Sequence, residues 1–292
     1  MSYFSLFFAI VLLLLPIGSF ADPQKISQVS IIIDDMGNTD QGWRVVKMPG
    51  PVVCSILPHT PLSVELAKAC YAAHKEIILH APMQAITPHD LGPGGLRVNM
   101  DEASFFATLT ADVHAVPHVQ GINNHMGSLL TESPRAMSWV MQVIKPYGLF
   151  YIDSRTSAQS VAEQVAKEYA IPTARRDVFL DDIQTPQALQ NQFNELLILA
   201  KQRGSAIAIG HPYPVTMAFL EKALPQLNAE GFQLVPVSNL LDDRVVARVT
   251  HVTPTAKPQA QIQSPTIWQS LQTVICPDYP AMCSVLKRWM LD

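Results

Sequence analysis

Short apolar runs alternate with amphipathic stretches along most of the chain, and that rhythm predicts strands separated by helices. Val29-Ser30-Ile31-Ile32-Ile33 is β-branched, bounded by Gly37, and reads as a parallel strand buried on both faces. Strands follow at 50–57, ending at Pro58, and at 76–79, ending at His80. Further strands are expected around Gly121-Ile122, at 149–152, near 178–180, at 205–209 and at 232–237. Helical spacing covers 61–73, 101–113, 134–145, 160–169, 186–203 and 215–229, with Asp101 and Glu102 suited to a first turn and Gly204 to a stop. About seven such alternations predict an α/β fold, a parallel sheet covered by helices that is either a barrel or a doubly wound sheet.

The ends of the chain carry a different pattern. Residues 4–17 are an almost unbroken apolar run, Ser19-Phe20-Ala21 puts small residues at the flanks of a cut, and Asp22-Pro23 opens a polar stretch. The run is shorter than the ~20 residues a membrane span needs. Residues 1–21 are therefore expected to be a secretory signal peptide, although no Lys or Arg precedes the run. The mature protein is expected to be periplasmic or secreted, with no stable membrane span after cleavage. Residues 22–243 form the expected main domain, and 244–292 a linker and short tail rich in Pro, Thr and Gln at its start. Four cysteines suit an oxidising compartment. Cys276 with Cys283 and Cys54 with Cys70 is the favoured pairing, though four cysteines allow three.

Composition narrows the classes. Hydrophobic residues make up 48% of the chain and charged residues 15%, which supports a buried core and excludes general disorder. With a net charge of −4 and no Lys/Arg block, nucleic-acid binding is not expected.

Parallel β/α folds build their sites at the carboxyl ends of strands. That rule selects Asp34-Asp35 after Ile33, His80 after Leu79, Asn123-Asn124-His125 after Ile122, Asp153-Ser154-Arg155 after Ile152, and Gly210-His211 after Ile209. Two adjacent carboxylates in a cleft call for a compensating cation or strong donors, which one metal ligand beside one base would satisfy. One Asp with His80 and His125 is a facial N/O set suited to Zn²⁺ or a similar divalent ion. Asn124 and Gly127 suggest a tight rim loop close to a ligand. His211, held between Gly210 and Pro212, suits a general acid. Asp181-Asp182 precedes Thr185-Pro186 and reads as a helix cap rather than as part of the site. His59, His74, His89, His114, His118 and His251 are assigned no role.

These motifs, in order, resemble the divergent polysaccharide deacetylase family: Ile31-Ile32-Ile33-Asp34-Asp35-Met36-Gly37, Leu79-His80-Ala81-Pro82-Met83, Gly121-Ile122-Asn123-Asn124-His125-Met126-Gly127-Ser128, Asp153-Ser154-Arg155 and Ile209-Gly210-His211-Pro212. The resemblance covers about residues 26–243 and implies a distorted (β/α) barrel of about seven parallel strands. It implies Asp34 as catalytic base, His211 as general acid, and Asp35, His80 and His125 as metal ligands, with Asp153 and Arg155 orienting them. Chitin- and peptidoglycan-type members carry a second ligand His shortly after the first, where this chain has Pro82-Met83-Gln84, so His125 would complete the set. The implied activity is metal-dependent hydrolysis of C–N amide bonds, removing N-acetyl groups from an envelope polysaccharide such as peptidoglycan. The departure leaves a rival expectation, a catalytically silent carbohydrate- or partner-binding protein on the same fold.

Overall fold

The computed structural model describes residues 26–241. The expected signal peptide, the expected tail from residue 244 and the expected Cys276–Cys283 pairing lie outside the described residues. The chain begins with β1 (Ser27–Met36), α1 (Gly42–Lys47), β2 (Val53–Ile56), α2 (Ser63–Ala72), β3 (Ile77–Met83) and α3 (Glu102–Ala115). It continues through β4 (Gly121–Met126), α4 (Pro134–Ile144), β5 (Phe150–Asp153), α5 (Ala162–Glu168), β6 (Thr173–Arg175) and β7 (Val178–Phe179). It ends with α6 (Pro186–Arg203), β8 (Ser205–Gly210), α7 (Pro214–Ala223) and β9 (Phe232–Leu234).

All strand pairings in the sheet are parallel, in the order β6-β5-β4-β3-β2-β1-β8-β7, with β9 on β1. The sheet curls into a half-barrel: β6 and β7 are joined only by Arg176 and Asp177, yet they do not pair. The apolar run of β1 is buried on both faces, as parallel strands under helices require. Ile31 and Ile33 pack outward in a cluster with Leu66, Phe105, Val140 and Leu196 from the helices. Ile32 points inward and meets Val53, Ile78, Ile152, Ile207 and Ile209.

Local chemistry sets the element ends. Asp101, Ser133 and Thr185 cap α3, α4 and α6 by accepting from Ser104, Ala136 and Ala188 backbone N–H groups. Gly204 closes α6 in the left-handed conformation at φ 89°. Cys54 on β2 and Cys70 on α2 form a disulfide, fastening a helix to its strand.

Three details depart from the sequence reading. β3 runs past His80 to Met83 and β4 runs to Met126, so their polar residues lie within the sheet. α7 stops at Ala223 and a 3₁₀ turn follows, because Pro225 cannot continue the α-helical ladder. α1 and β6 were not expected; at six and three residues they are too short to show a period.

Candidate metal and catalytic site

The site begins with an irregularity in β1. Ile33 pairs with Cys54, but the next pairing is Met36 with Ile56, so three steps on β1 face two on β2. Strict alternation would send Asp34 and Asp35 to opposite faces of the sheet. The extra residue, with Asp35 in the left-handed region at φ 55°, re-aims the doublet towards the barrel mouth. Asp34 is buried at the floor, while the Asp35 side chain remains 32% exposed.

His80 from β3 and His125 from β4 converge on Asp35. Asp35 Oδ1 lies 2.8 Å from His125 Nδ1 and 3.2 Å from His80 Nε2, and the two nitrogens are 3.2 Å apart. Asp35 Oδ1 is nevertheless buried with no hydrogen-bond partner of suitable alignment. Three ligand atoms about 2.1 Å from a common Zn²⁺ would be separated by roughly 2.9–3.4 Å, which the observed triangle matches closely. The orphaned oxygen and the donor chemistry both fit a divalent cation. Burial alone would raise the Asp35 pKa, but His125 and His80 outweigh it and hold the carboxyl well below the usual range. Burial likewise disfavours the His80 imidazolium, and the charges of Asp34 and Asp35 overcome this to raise its pKa.

Behind the triangle, Asn123 is fully buried. Its Oδ1 lies 2.7 Å from His80 Nδ1 and 2.9 Å from Ser55 Oγ, and its Nδ2 donates to Asp34 Oδ1 at 2.7 Å. The sequence reading gave Asn123 no role of its own.

His211 faces the triangle from the end of β8, with Nε2 3.9 Å from Asp35 Oδ2. Its partner is Asp181, contrary to the capping role expected for that residue; Thr185 caps α6 instead. Asp181 Oδ1 is 2.9 Å from His211 Nδ1, while Oδ2 accepts from the His211 backbone N–H at 2.6 Å and from Thr216 Oγ1 at 2.8 Å. Burial opposes charge on His211, but the Asp181 bond and the Asp34 charge prevail, lifting its pKa to about 9. Asp181 directly follows Leu180 beyond β7, so the strand-end rule that selected the other residues applies to it as well.

The remaining expected residues are braces. Asn124 Oδ1 accepts from Tyr151 Oη and Ser154 N, and its Nδ2 donates to Met126 O at 2.7 Å, fixing the turn that follows His125. It is buried and makes no groove surface. Asp153 is buried and accepts from Arg155 N at 2.8 Å and Ser160 Oγ at 2.8 Å. Arg155 lines a separate surface pocket with Arg175 and Arg203, and its charge works against the burial that raises the Asp153 pKa. Arg176, just beyond β6, feels the charges of Asp153 and Asp34, and its Nε and Nη2 donate to Ser154 O and Arg155 O. Burial lowers the Arg176 pKa and those two carboxylates oppose the shift. Its guanidinium lies 5.0 Å over the Phe179 ring, which in turn packs 5.4 Å from His211.

A groove of about 520 Å³ opens above Asp35 and His125. Its walls come from Leu57 and Pro58, from Asp90 to Pro93 in the Pro- and Gly-rich loop after β3, and from Tyr213 beside His211. Among the described residues, no helix is long and apolar enough to cross a membrane.

The family described as "Divergent polysaccharide deacetylase" matches residues 31–241. The uncharacterized protein YibQ of Escherichia coli K12 is 33% identical over 226 residues, covering 77% of this chain and 70% of that protein. An uncharacterized Haemophilus influenzae protein is 35% identical over 215 residues, covering 73% of this chain and 76% of its own. A crystal structure, the uncharacterized protein ATU2773 of Agrobacterium tumefaciens C58, superposes with a TM-score of 0.72 at 21% identity, over 75% of this chain and 91% of that one.

Proposed function

This chain belongs to the divergent polysaccharide deacetylase family, and from that premise we propose that it is an exported, metal-dependent hydrolase that removes N-acetyl groups from an envelope polysaccharide. The observation that carries the reading is the Asp35–His80–His125 triangle, with its orphaned buried oxygen, set opposite His211, whose Nε2 lies 3.9 Å from Asp35 Oδ2.

Asp35, His80 and His125 would hold a divalent ion such as Zn²⁺, which would supply Lewis-acid polarisation of an amide carbonyl and a more acidic water. The chain does the rest. Asp34, oriented by Asn123 through Oδ1, takes the proton of the attacking water. His211 directs its Nδ1 proton to Asp181 and its Nε2 into the site, where it gives a proton to the departing amine nitrogen. The groove seats the glycan, with the Tyr213 ring beside His211 as an apolar surface for a sugar face. The products are acetate and a free amino sugar. The leader pattern supports a periplasmic or secreted location, where peptidoglycan is the substrate within reach.

The test is metal content of the purified mature protein beside His125→Ala, with acetate release from an N-acetylated glycan followed on the same samples. About one divalent ion per chain, lost in the variant together with acetate release, is expected. Metal without acetate release would favour a binding protein, and absence of metal would overturn the site.

A further inference from the structure

Asn123 joins two groups that the proposed chemistry keeps separate. One end of its side-chain amide reaches the metal ligand His80 and the other reaches the base Asp34. All three residues are at most 2% exposed, so no water competes for these bonds.

The chemistry of the neighbours fixes the amide orientation. A carboxylate accepts hydrogen bonds and cannot donate them, so the end facing Asp34 Oδ1 at 2.7 Å must be the NH₂ group. The other end is then the carbonyl oxygen, which can only accept. It takes the Ser55 hydroxyl proton at 2.9 Å and lies 2.7 Å from His80 Nδ1. That nitrogen must therefore carry a proton. A ligating imidazole is neutral and has one N–H, so the proton on Nδ1 leaves the lone pair on Nε2, the atom that faces Asp35 and His125.

We infer that Asn123 is a positioning residue with two simultaneous tasks: its carbonyl holds His80 in the Nδ1–H tautomer that presents Nε2 to the cation, and its NH₂ group holds Asp34 in place as the base. The inference rests on the metal site proposed above. No other side chain could replace the amide unchanged. An aspartate keeps the acceptor but sets a second carboxyl against Asp34, where the two must share one proton, and an alanine loses both bonds. Ser55 occupies the second lone pair of the oxygen, so the amide cannot turn over without breaking three bonds at once.

Asn123→Ala and Asn123→Asp separate the two tasks. Zinc affinity is measured by competition with a chelator, and the His80 Nδ1 proton is followed by ¹⁵N-edited NMR of the zinc-loaded protein. In wild type that proton is expected to be protected from exchange. Asn123→Ala is expected to lose the protection and about 10–100-fold in zinc affinity. Asn123→Asp, of nearly the same shape, is expected to keep both, while acetate release falls about 10-fold or more because Asp34 then shares a proton with its new neighbour and is no longer free to act as base. Wild-type zinc affinity and proton protection in Asn123→Ala would overturn the inference. So would an Asn123→Asp variant that folds, by circular dichroism, yet loses zinc as completely as the alanine. A wild type that releases no acetate refutes the activity proposed above, and the zinc and proton readouts still decide the role of Asn123.

Discussion

His211 Nδ1 lies 2.9 Å from Asp181 Oδ1, and the second oxygen of that buried carboxylate grips the backbone of the same histidine at 2.6 Å. One side chain thus fixes both the ring and the peptide that carries it. Thr216 Oγ1 completes the set at 2.8 Å, so the carboxylate is itself immobilised. Asp181→Ala should leave zinc content unchanged, because Asp181 touches none of the three ligands. It should lower the turnover of acetate release by about 100-fold, the scale of a general acid that is no longer poised. Undiminished turnover would remove His211 from the role of acid.

Asp112 on α3 gives the protein a pH-sensitive term away from the site. Burial pushes its carboxyl up to about 8, and its Oδ1 lies 2.9 Å from His59 Nε2, so the protonated acid donates to the imidazole. The folded state then holds a proton that the unfolded chain, with an ordinary Asp near 3.8, releases. Stability from this group is therefore full below about pH 4 and falls as pH rises towards 8, by at most about 1.4 kcal/mol per pH unit. Chemical denaturation of wild type and Asp112→Asn between pH 5 and pH 8 measures this: the advantage of wild type should fall as pH rises, and a difference that does not change with pH would overturn it.

The Cys54–Cys70 disulfide closes a segment with a sequence separation of 16 between β2 and α2. Cross-linking a loop of that size is worth about 3 kcal/mol on the chain-entropy scale. The double variant Cys54→Ala/Cys70→Ala should unfold at lower denaturant by that amount, and wild type in reductant should behave alike.

Gly94 takes φ +78°, and a Cβ there would fall on the Asp112 carboxylate. Gly94→Ala should cost about 1–3 kcal/mol from the backbone conformation together with the contact. It should also weaken glycan binding, because the same loop supplies Leu91, Gly92 and Pro93 to the groove wall. A melting temperature equal to wild type would show that the loop yields without loss.

Much of this was legible in sequence because burial on both faces writes a continuous apolar run. Ile31-Ile32-Ile33 could be placed in a buried parallel strand from its unbroken β-branched run, and its carboxyl end pointed to Asp34 and Asp35. The same rule found His80, His125 and His211, whose charge chemistry stands out against apolar neighbours. Asp181 escaped it because Thr185-Pro186 so close behind made a cap the simpler account. Asn123 carries no charge and sits inside a strand, where an amide signals nothing by type; its meaning comes from three partners at sequence separations of 43, 68 and 89. Arg176 follows a strand of only three residues, below the length at which alternation can be read.

The bulge in β1 carries a consequence for how this site can change over evolutionary time. Asp34 and Asp35 share one mouth because three residues of β1 span two of β2, and a reading of residue types alone does not reveal that count. Substitution can alter the chemistry of either carboxylate while leaving its partner aimed as before. Deletion of a single residue between Ile33 and Met36 would restore plain alternation and part the two groups across the sheet. A lineage that abandons catalysis one point mutation at a time therefore keeps the architecture of the site intact, and a single reverse substitution could return it to work. An insertion or deletion at the bulge closes that road.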